Sequence, residues 1–284
     1  MDPLISVVIP TYNRAKTIKR CLDSILAQTF TDFEVIVVDD CSRDNTKEIV
    51  ESYSDERVSY FCLKKNSGAC VARNEGVKAA KGDYIAFQDS DDVWHEDKLE
   101  KQLEMLKKQN ADIVFCSMNR VDEEKNERID VFPDGIDSRF IEYKDLLPGN
   151  LMSTQTILGK KKCFENVRFD ENMPRFQDWE LALRLLKAYS VYFDSRVLVD
   201  TYLQSDSISK SQAKTVTGLS RILKDNITEY KKYPEVYYDL CSWLSKVMVI
   251  CKINPSNVYK EMLKTEFNFK IFVKFLLCKI KVYK

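Results

Sequence analysis

Across the first 116 residues, short strand-forming runs alternate with helical periodicity about every 25 residues, and this alternation limits the possible folds most. The runs are residues 5–9, 33–38, 57–63, 84–87 and 111–116, rich in Val, Ile, Phe and Tyr. Between them, residues 15–28 carry Ile18, Leu22, Ile25 and Leu26 at helical spacing, with Asn13 as a helix cap. Helical patterns also follow Asp44-Asn45 and cover 69–80 and 96–109. Strand-helix alternation of this kind predicts an α/β domain with a doubly wound, mainly parallel sheet.

The ends of the strands carry the chemistry. Tyr84, Ile85, Ala86 and Phe87 want burial, yet they lead straight into Gln88, Asp89, Ser90, Asp91 and Asp92. A buried carboxylate without a partner is costly. A strand whose C-terminal end delivers its acids into the ligand crevice of an open α/β sheet resolves the conflict. An acidic turn that merely caps the next helix would also account for Asp89–Asp92 taken alone. The second run, however, ends in Asp39-Asp40, and the first in Pro10-Thr11-Tyr12-Asn13. Three polar strand ends favour a shared crevice. No GxGxxG follows the first run and no GxxxxGK occurs, so a bound diphosphate would need other neutralisation. A divalent cation on Asp91 would supply it, Mg²⁺ or Mn²⁺ by the hardness of carboxylate oxygen.

Composition removes several classes. Lys+Arg and Asp+Glu balance at 44 each, which leaves no overall field for nucleic acid. His95 is the single histidine, which takes Ser-His-Asp triads and His-based zinc sites out of serious consideration. Nine cysteines lack CxxC spacing and point to free thiols in a reduced, cytoplasmic compartment. The chain start resembles no signal peptide, and no apolar run reaches bilayer length.

Beyond Ser117 the pattern loosens. Residues 121–131 read as a hairpin or loop, 133–135 as a turn, 142–147 as a short helix and 154–158 as a strand. A helix follows Arg175-Phe176-Gln177-Asp178-Trp179-Glu180, and residues 191–193 and 197–199 read as two returning strands. From Ser211 the chain reads as helical with breaks at Pro234 and Pro255. The expected division is a catalytic domain over 1–210 and a helical region over 211–284. Within the first, a nucleotide half spans about 1–117 and an acceptor half about 118–210.

Five motifs together resemble the family 2 glycosyltransferases. They are Ser6-Val7-Val8-Ile9-Pro10-Thr11-Tyr12-Asn13, Val37-Val38-Asp39-Asp40-Cys41-Ser42, Asn66-Ser67-Gly68, Ala72-Arg73-Asn74-Glu75-Gly76 and Asp89-Ser90-Asp91-Asp92. The resemblance covers about residues 4–203, most firmly to 116. It implies the GT-A fold, inverting transfer from a nucleotide diphosphate sugar, and a metal. It places Pro10, Thr11, Tyr12 and Asp40 at the nucleotide base, with Asp40 accepting a base N–H when the donor is UDP-linked. Arg14 lies beside that pocket and Arg73 approaches the nucleotide. Asp89, Ser90 and Asp91 match the D-x-D motif, with Asp89 near the ribose, Asp91 on the cation and Asp92 supporting the metal shell. Asp39 reads instead as the buried partner of a backbone amide.

The resemblance also implies the base. Its catalytic Asp follows Glu or Gln at the start of a late helix, which Gln177-Asp178-Trp179-Glu180 matches, so Asp178 is the candidate. Gln177, Trp179 and Glu180 become candidate acceptor contacts, although Trp179 reads first as core packing and Glu180 also fits the first turn of the helix. The Gln-x-x-Arg-Trp of processive synthases is absent, which favours a single transfer. Implied partners are the donor and a glycan or lipid-linked acceptor of surface polysaccharide assembly. Residues 267–284 mix aromatics with Lys270, Lys274 and Lys281, suiting an anionic membrane surface or packing on protein, a homodimer included. The alternatives are a sugar-nucleotide nucleotidyltransferase and a non-catalytic sugar-nucleotide-binding scaffold.

Overall fold

The structure, a computed structural model, describes residues 2–125, 127–203, 211–265 and 268–279. They form two compact units. The first comprises Met1–Tyr143, Leu151–Glu171 and Leu181–Ser205, and the second Lys144–Asn150, Asn172–Glu180 and Asp206–Lys284. Two segments inside the range expected for the catalytic domain therefore group with the helical unit.

The first unit starts with β1 (Ile5–Thr11), α1 (Ile18–Leu26), β2 (Phe33–Asp39), α2 (Thr46–Glu51), β3 (Val58–Cys62), α3 (Ala69–Ala79) and β4 (Tyr84–Phe87). Then come β5 (Val93–Trp94), α4 (Lys98–Lys108), β6 (Ile113–Asp122), β7 (Glu127–Phe132), β8 (Arg139–Phe140), β9 (Ile157–Lys160) and α5 (Lys161–Asn166). α6 (Gln177–Leu185) crosses between the units, and β10 (Val191–Leu203) closes the first. The sheet order is β3-β2-β1-β4-β9-β6-β10-β5, with β7 beside β6 and β8 beside β10. Strands β1 to β4 are parallel, and β6 and β10 are parallel to each other. The register puts Thr11 opposite Asp39, Asp39 opposite Cys62 and Val8 opposite Phe87, so these strands end at one edge.

Alternation along β1 covers both faces. Ile5, Val7 and Ile9 pack with Ile18, Leu22 and Ile25 of α1 and Leu99 and Leu103 of α4. Each fully buried aliphatic there contributes about 1.5–3 kcal/mol. On the opposite face α3 lies so close that a Cβ at Gly76 would collide with Val8, so this position must be glycine. Phe87 stands edge-on to Phe164 and Phe169, with ring centroids 5.0 and 5.3 Å away.

Four local expectations change. α1 begins at Ile18, and Asn13 is no cap: its φ is +53°, its N–H donates to Ser42 and its side-chain oxygen accepts from Arg43. Residues 154–158 split into a 3-10 turn and β9, which runs antiparallel between β4 and β6. Residues 191–193 and 197–199 are one strand, β10, with a register shift between Asp194 and Val197 where Arg196 folds back onto the buried Asp194. Residues 142–147 form only a 3-10 turn, Tyr143–Leu146. The hairpin over 121–131 is present as β6 and β7.

The second unit holds α7 (Gln212–Asp225), α8 (Ile227–Tyr230), α9 (Pro234–Ile250), α10 (Ser256–Thr265) and α11 (Phe269–Lys279). Pro234 opens α9, where its missing N–H costs nothing, and Pro255 precedes α10. Leu219, Ile222, Tyr230, Tyr237, Leu240 and Leu244 are buried, and the Tyr230 hydroxyl donates to the Leu147 carbonyl at 2.9 Å. Among the described residues, no helix is long and apolar enough to cross a membrane.

Candidate functional site

The β1 and β2 ends are knitted together by backbone amides. The Asp40 N–H donates to the Thr11 carbonyl at 2.8 Å. Asp39, fully buried, accepts from the Ser42 amide at 2.7 Å and the Tyr60 hydroxyl at 2.6 Å. Asp40 accepts from the Ser67 and Gly68 amides at 2.6 and 2.7 Å, one on each oxygen. It therefore shapes the loop that opens α3. Pro10 pairs across to Val38 within the sheet. The Thr11 hydroxyl is buried without a partner, while the Tyr12 ring is 40% exposed.

The β4 end is an ion-pair network. Arg73 on α3, 7% exposed, donates to Asp89 at 2.6 Å and lies 5.3 Å from the Phe169 ring. Arg14 reaches Asp91 at 3.2 Å. Arg20 on α1 donates to the Asp91 carbonyl at 2.6 Å, pairs with Glu123 at 2.8 Å and stacks 3.8 Å over the Tyr202 ring. Burial, then the charge of Asp89, pushes the Asp91 carboxyl above its ordinary range. Asp92 is pushed up further by burial and by Asp91 and Asp89. Ser90 is buried between these acids.

Asp92 is committed within the fold. Its oxygens accept from the Thr201 hydroxyl and the Tyr202 amide, both at 3.1 Å, so it ties this turn to β10 rather than supporting a metal shell. Among the described residues no group of three or more acid, Cys or His side chains could by itself hold a metal ion. A divalent cation with few protein ligands fits nevertheless. Asp89 is held by Arg73 at 2.6 Å and Asp91 more loosely by Arg14 at 3.2 Å, so Asp91 is the residue that would hold such a cation. The mutual repulsion of Asp89 and Asp91 favours an added cation.

The Asp178 segment belongs to the second unit. Asp178 accepts from the Asn150 side chain at 2.8 Å and from the Trp179 amide at 2.9 Å. Just before it, Phe176 has a φ of +63° and stands edge-on to Trp179 and Trp243. Arg175 hydrogen-bonds Thr215, and α7 approaches so closely that a Cβ at Gly218 would lie 2.9 Å from the Arg175 carbonyl. Trp179 is 1% exposed and its ring N–H donates to the Leu146 carbonyl, so it packs in the core and offers no stacking face. Gln177 spends its side-chain N–H on the Met173 carbonyl. Glu180 stands in the first turn of α6.

Arg14, Arg73, Asp89 and Asp91 thus meet in one network, and Arg20 joins it unforeseen. In sequence Arg20 is indistinguishable from Lys19, one more cation on an amphipathic helix.

The profile of the family described as Glycosyl transferase family 2 matches residues 6–162. A Bacillus subtilis protein, the putative teichuronic acid biosynthesis glycosyltransferase TuaG, is 34% identical over 75% of this chain and 84% of its own length. The Escherichia coli enzyme WfgD is 41% identical over 40% of this chain and 45% of its own. The chain spans only 31–65% of five Rickettsia glycosyltransferases that it also matches. In structure, S. aureus TarS 1–349 in complex with UDP superposes with a TM-score of 0.66 at 19% identity, covering 97% of this chain and 88% of that one. The fold is GT-A, and the chain belongs to glycosyl transferase family 2.

Proposed function

We propose that this glycosyltransferase moves one sugar, with inversion, from a UDP-linked donor to a hydroxyl of a glycan or lipid-linked glycan in surface polysaccharide assembly. The observation that carries the reading is the β4 end, where Asp89 and Asp91 repel each other and are faced by Arg14 and Arg73 beside the ends of β1 and β2. Such a site suits a diphosphate that arrives with a cation. Mn²⁺ or Mg²⁺ on Asp91 would stabilise the negative charge growing on the leaving phosphate. Arg73 fixes Asp89 and Arg20 fixes the Asp91 backbone, so the acids are oriented before donor arrives. Asp178 accepts the acceptor's hydroxyl proton as that oxygen bonds the anomeric carbon and the bond to the diphosphate breaks. Asn150 orients its carboxylate, and the start of α6 favours the ionised form.

The relatives support the finer points by name. WfgD is a UDP-Glc:alpha-D-GlcNAc-diphosphoundecaprenol beta-1,3-glucosyltransferase, and TarS has been solved with UDP-GlcNAc as well as UDP. A lipid-linked acceptor would make peripheral docking at the cytoplasmic membrane face useful. α11 offers exposed Val273, Leu276 and Leu277 with exposed Lys270 and Lys274 for this, while Ile280 to Lys284 lie outside the described residues.

The test is release of nucleoside diphosphate from a panel of nucleotide sugars with Mn²⁺ and acceptor lipid extract. UDP release that acceptor accelerates is the expected result. Pyrophosphate release, or no turnover with any donor, would overturn the reading. Asp178→Asn should lower transfer about 10²–10⁴-fold and leave UDP affinity unchanged.

A further inference from the structure

The edge beside Asp40 holds two thiols that the transfer chemistry does not use. Cys41 follows Asp40 directly, and Cys62 ends β3 opposite Asp39. Both sulfurs donate to one acceptor, the Leu63 carbonyl, at 2.8 Å from Cys41 and 3.4 Å from Cys62. Burial and then Cys62, by charge and hydrogen bond, push the Cys41 thiol up. Of the nine cysteines Cys62 alone is exposed, Cys41 and Cys251 are half-buried, and the other six are buried. Cys41 stands at φ +65°, a conformation rare for a residue with a Cβ. Bonds from the Ser42 amide to Asp39 and from the Asn13 amide to Ser42 hold it there.

We propose that Cys41 and Cys62 are a reversible dithiol–disulfide pair, oxidised by low-molecular-weight disulfides, whose closure weakens nucleotide binding at the adjoining edge. The second half rests on the reading of that edge as the nucleotide pocket. The exposed Cys62, as thiolate, attacks one sulfur of the small disulfide, forms a mixed disulfide and expels one small thiolate. Cys41, losing its proton, then attacks the Cys62 sulfur and expels the second small thiolate. Two protein thiols are oxidised, one small disulfide is reduced to two thiols, and the two protons pass to the leaving groups. The new bond is about 2.05 Å long, well under any thiol hydrogen-bond distance. Closure therefore draws Cys41 toward β3 and strips both donors from the Leu63 carbonyl. Asp40 moves with its neighbour, and through it the Ser67 and Gly68 amides.

The reduced full chain is incubated with oxidised glutathione, mapped by non-reducing peptide mass spectrometry and titrated with UDP by calorimetry. A Cys41–Cys62 disulfide is expected, with UDP affinity reduced about tenfold, restored by dithiothreitol and unaffected by oxidant in Cys62→Ser. A lasting glutathione adduct on Cys62 with Cys41 still free would overturn the pair. Closure with unchanged UDP affinity would overturn the coupling. A reduced chain that binds no UDP would refute the nucleotide pocket and the coupling with it, while the peptide map still decides the pair.

Discussion

The two strands that flank β1, β2 and β4, end in adjacent or near-adjacent carboxylates, and they use them in opposite ways. Asp39 and Asp40, after β2, accept from the amides of Ser42, Ser67 and Gly68 and from the Tyr60 hydroxyl. Those donors are fixed in the fold, so the carboxylates set the shape of two loops. Asp89 and Asp91, after β4, are matched by the side chains of Arg73 and Arg14 instead. An arginine on a flexible stem can exchange one anion for another, and a phosphate is as good a partner as a carboxylate. Carboxylates bound to amides build the site, whereas those bound to arginines are available to a ligand.

The largest expected effect follows on the β4 side. Asp91→Asn should lower sugar transfer on the order of 10²–10³-fold, the scale of losing one preorganised charge stabiliser. Thermal unfolding should be unchanged or move upward, because the substitution relieves repulsion from Asp89 that burial aggravates. A comparable loss of stability would place Asp91 with the structural acids. The β2 side should respond the other way. Asp40→Ala leaves the Ser67 and Gly68 amides unmatched, and denaturant unfolding should show a loss of roughly 2–5 kcal/mol.

A buried lysine sharpens the contrast, because its ammonium meets a side-chain amide and an aromatic ring. Lys98, fully buried, donates to the Gln102 side chain at 2.7 Å and sits 3.9 Å over the Trp94 ring. Burial lowers its pKa from 10.5 to about 8, with the Cys116 thiol opposing weakly. The folded state then sheds this proton near pH 8 while the unfolded chain keeps it to about 10.5, so the unfolded state binds more protons in between. Stability should therefore rise with pH across that window, by about 3 kcal/mol, and Lys98→Met should flatten the rise.

Much of this was legible in the residues. Strand-helix alternation gave the parallel half-sheet, and apolar runs ending in acid placed their carboxylates at one edge. What escaped was set by tertiary contact. β9 enters antiparallel between β4 and β6, which four residues of local sequence do not announce. β10 looked like two strands because Asp194 and Arg196 interrupt its apolar pattern at the bulge. Asp92, read as support for the metal shell beside Asp91, is instead taken up by Thr201 and Tyr202, more than a hundred residues away. Between core packing and a sugar platform for Trp179, the Leu146 carbonyl that accepts its ring N–H decides for the core. The left-handed Phe176 before Asp178 depends on Gly218 in a helix forty residues later, a dependence no local pattern carries.

The central claim is that the β4 acids hold the donor through a cation on Asp91. Calorimetric titration of UDP into the native chain and Asp91→Ala, each with Mn²⁺ and with the metal chelated, tests it most directly. The account predicts that Mn²⁺ strengthens UDP binding to the native chain at least tenfold and leaves the variant's weak binding unchanged. An equal response to Mn²⁺ in both proteins would contradict it.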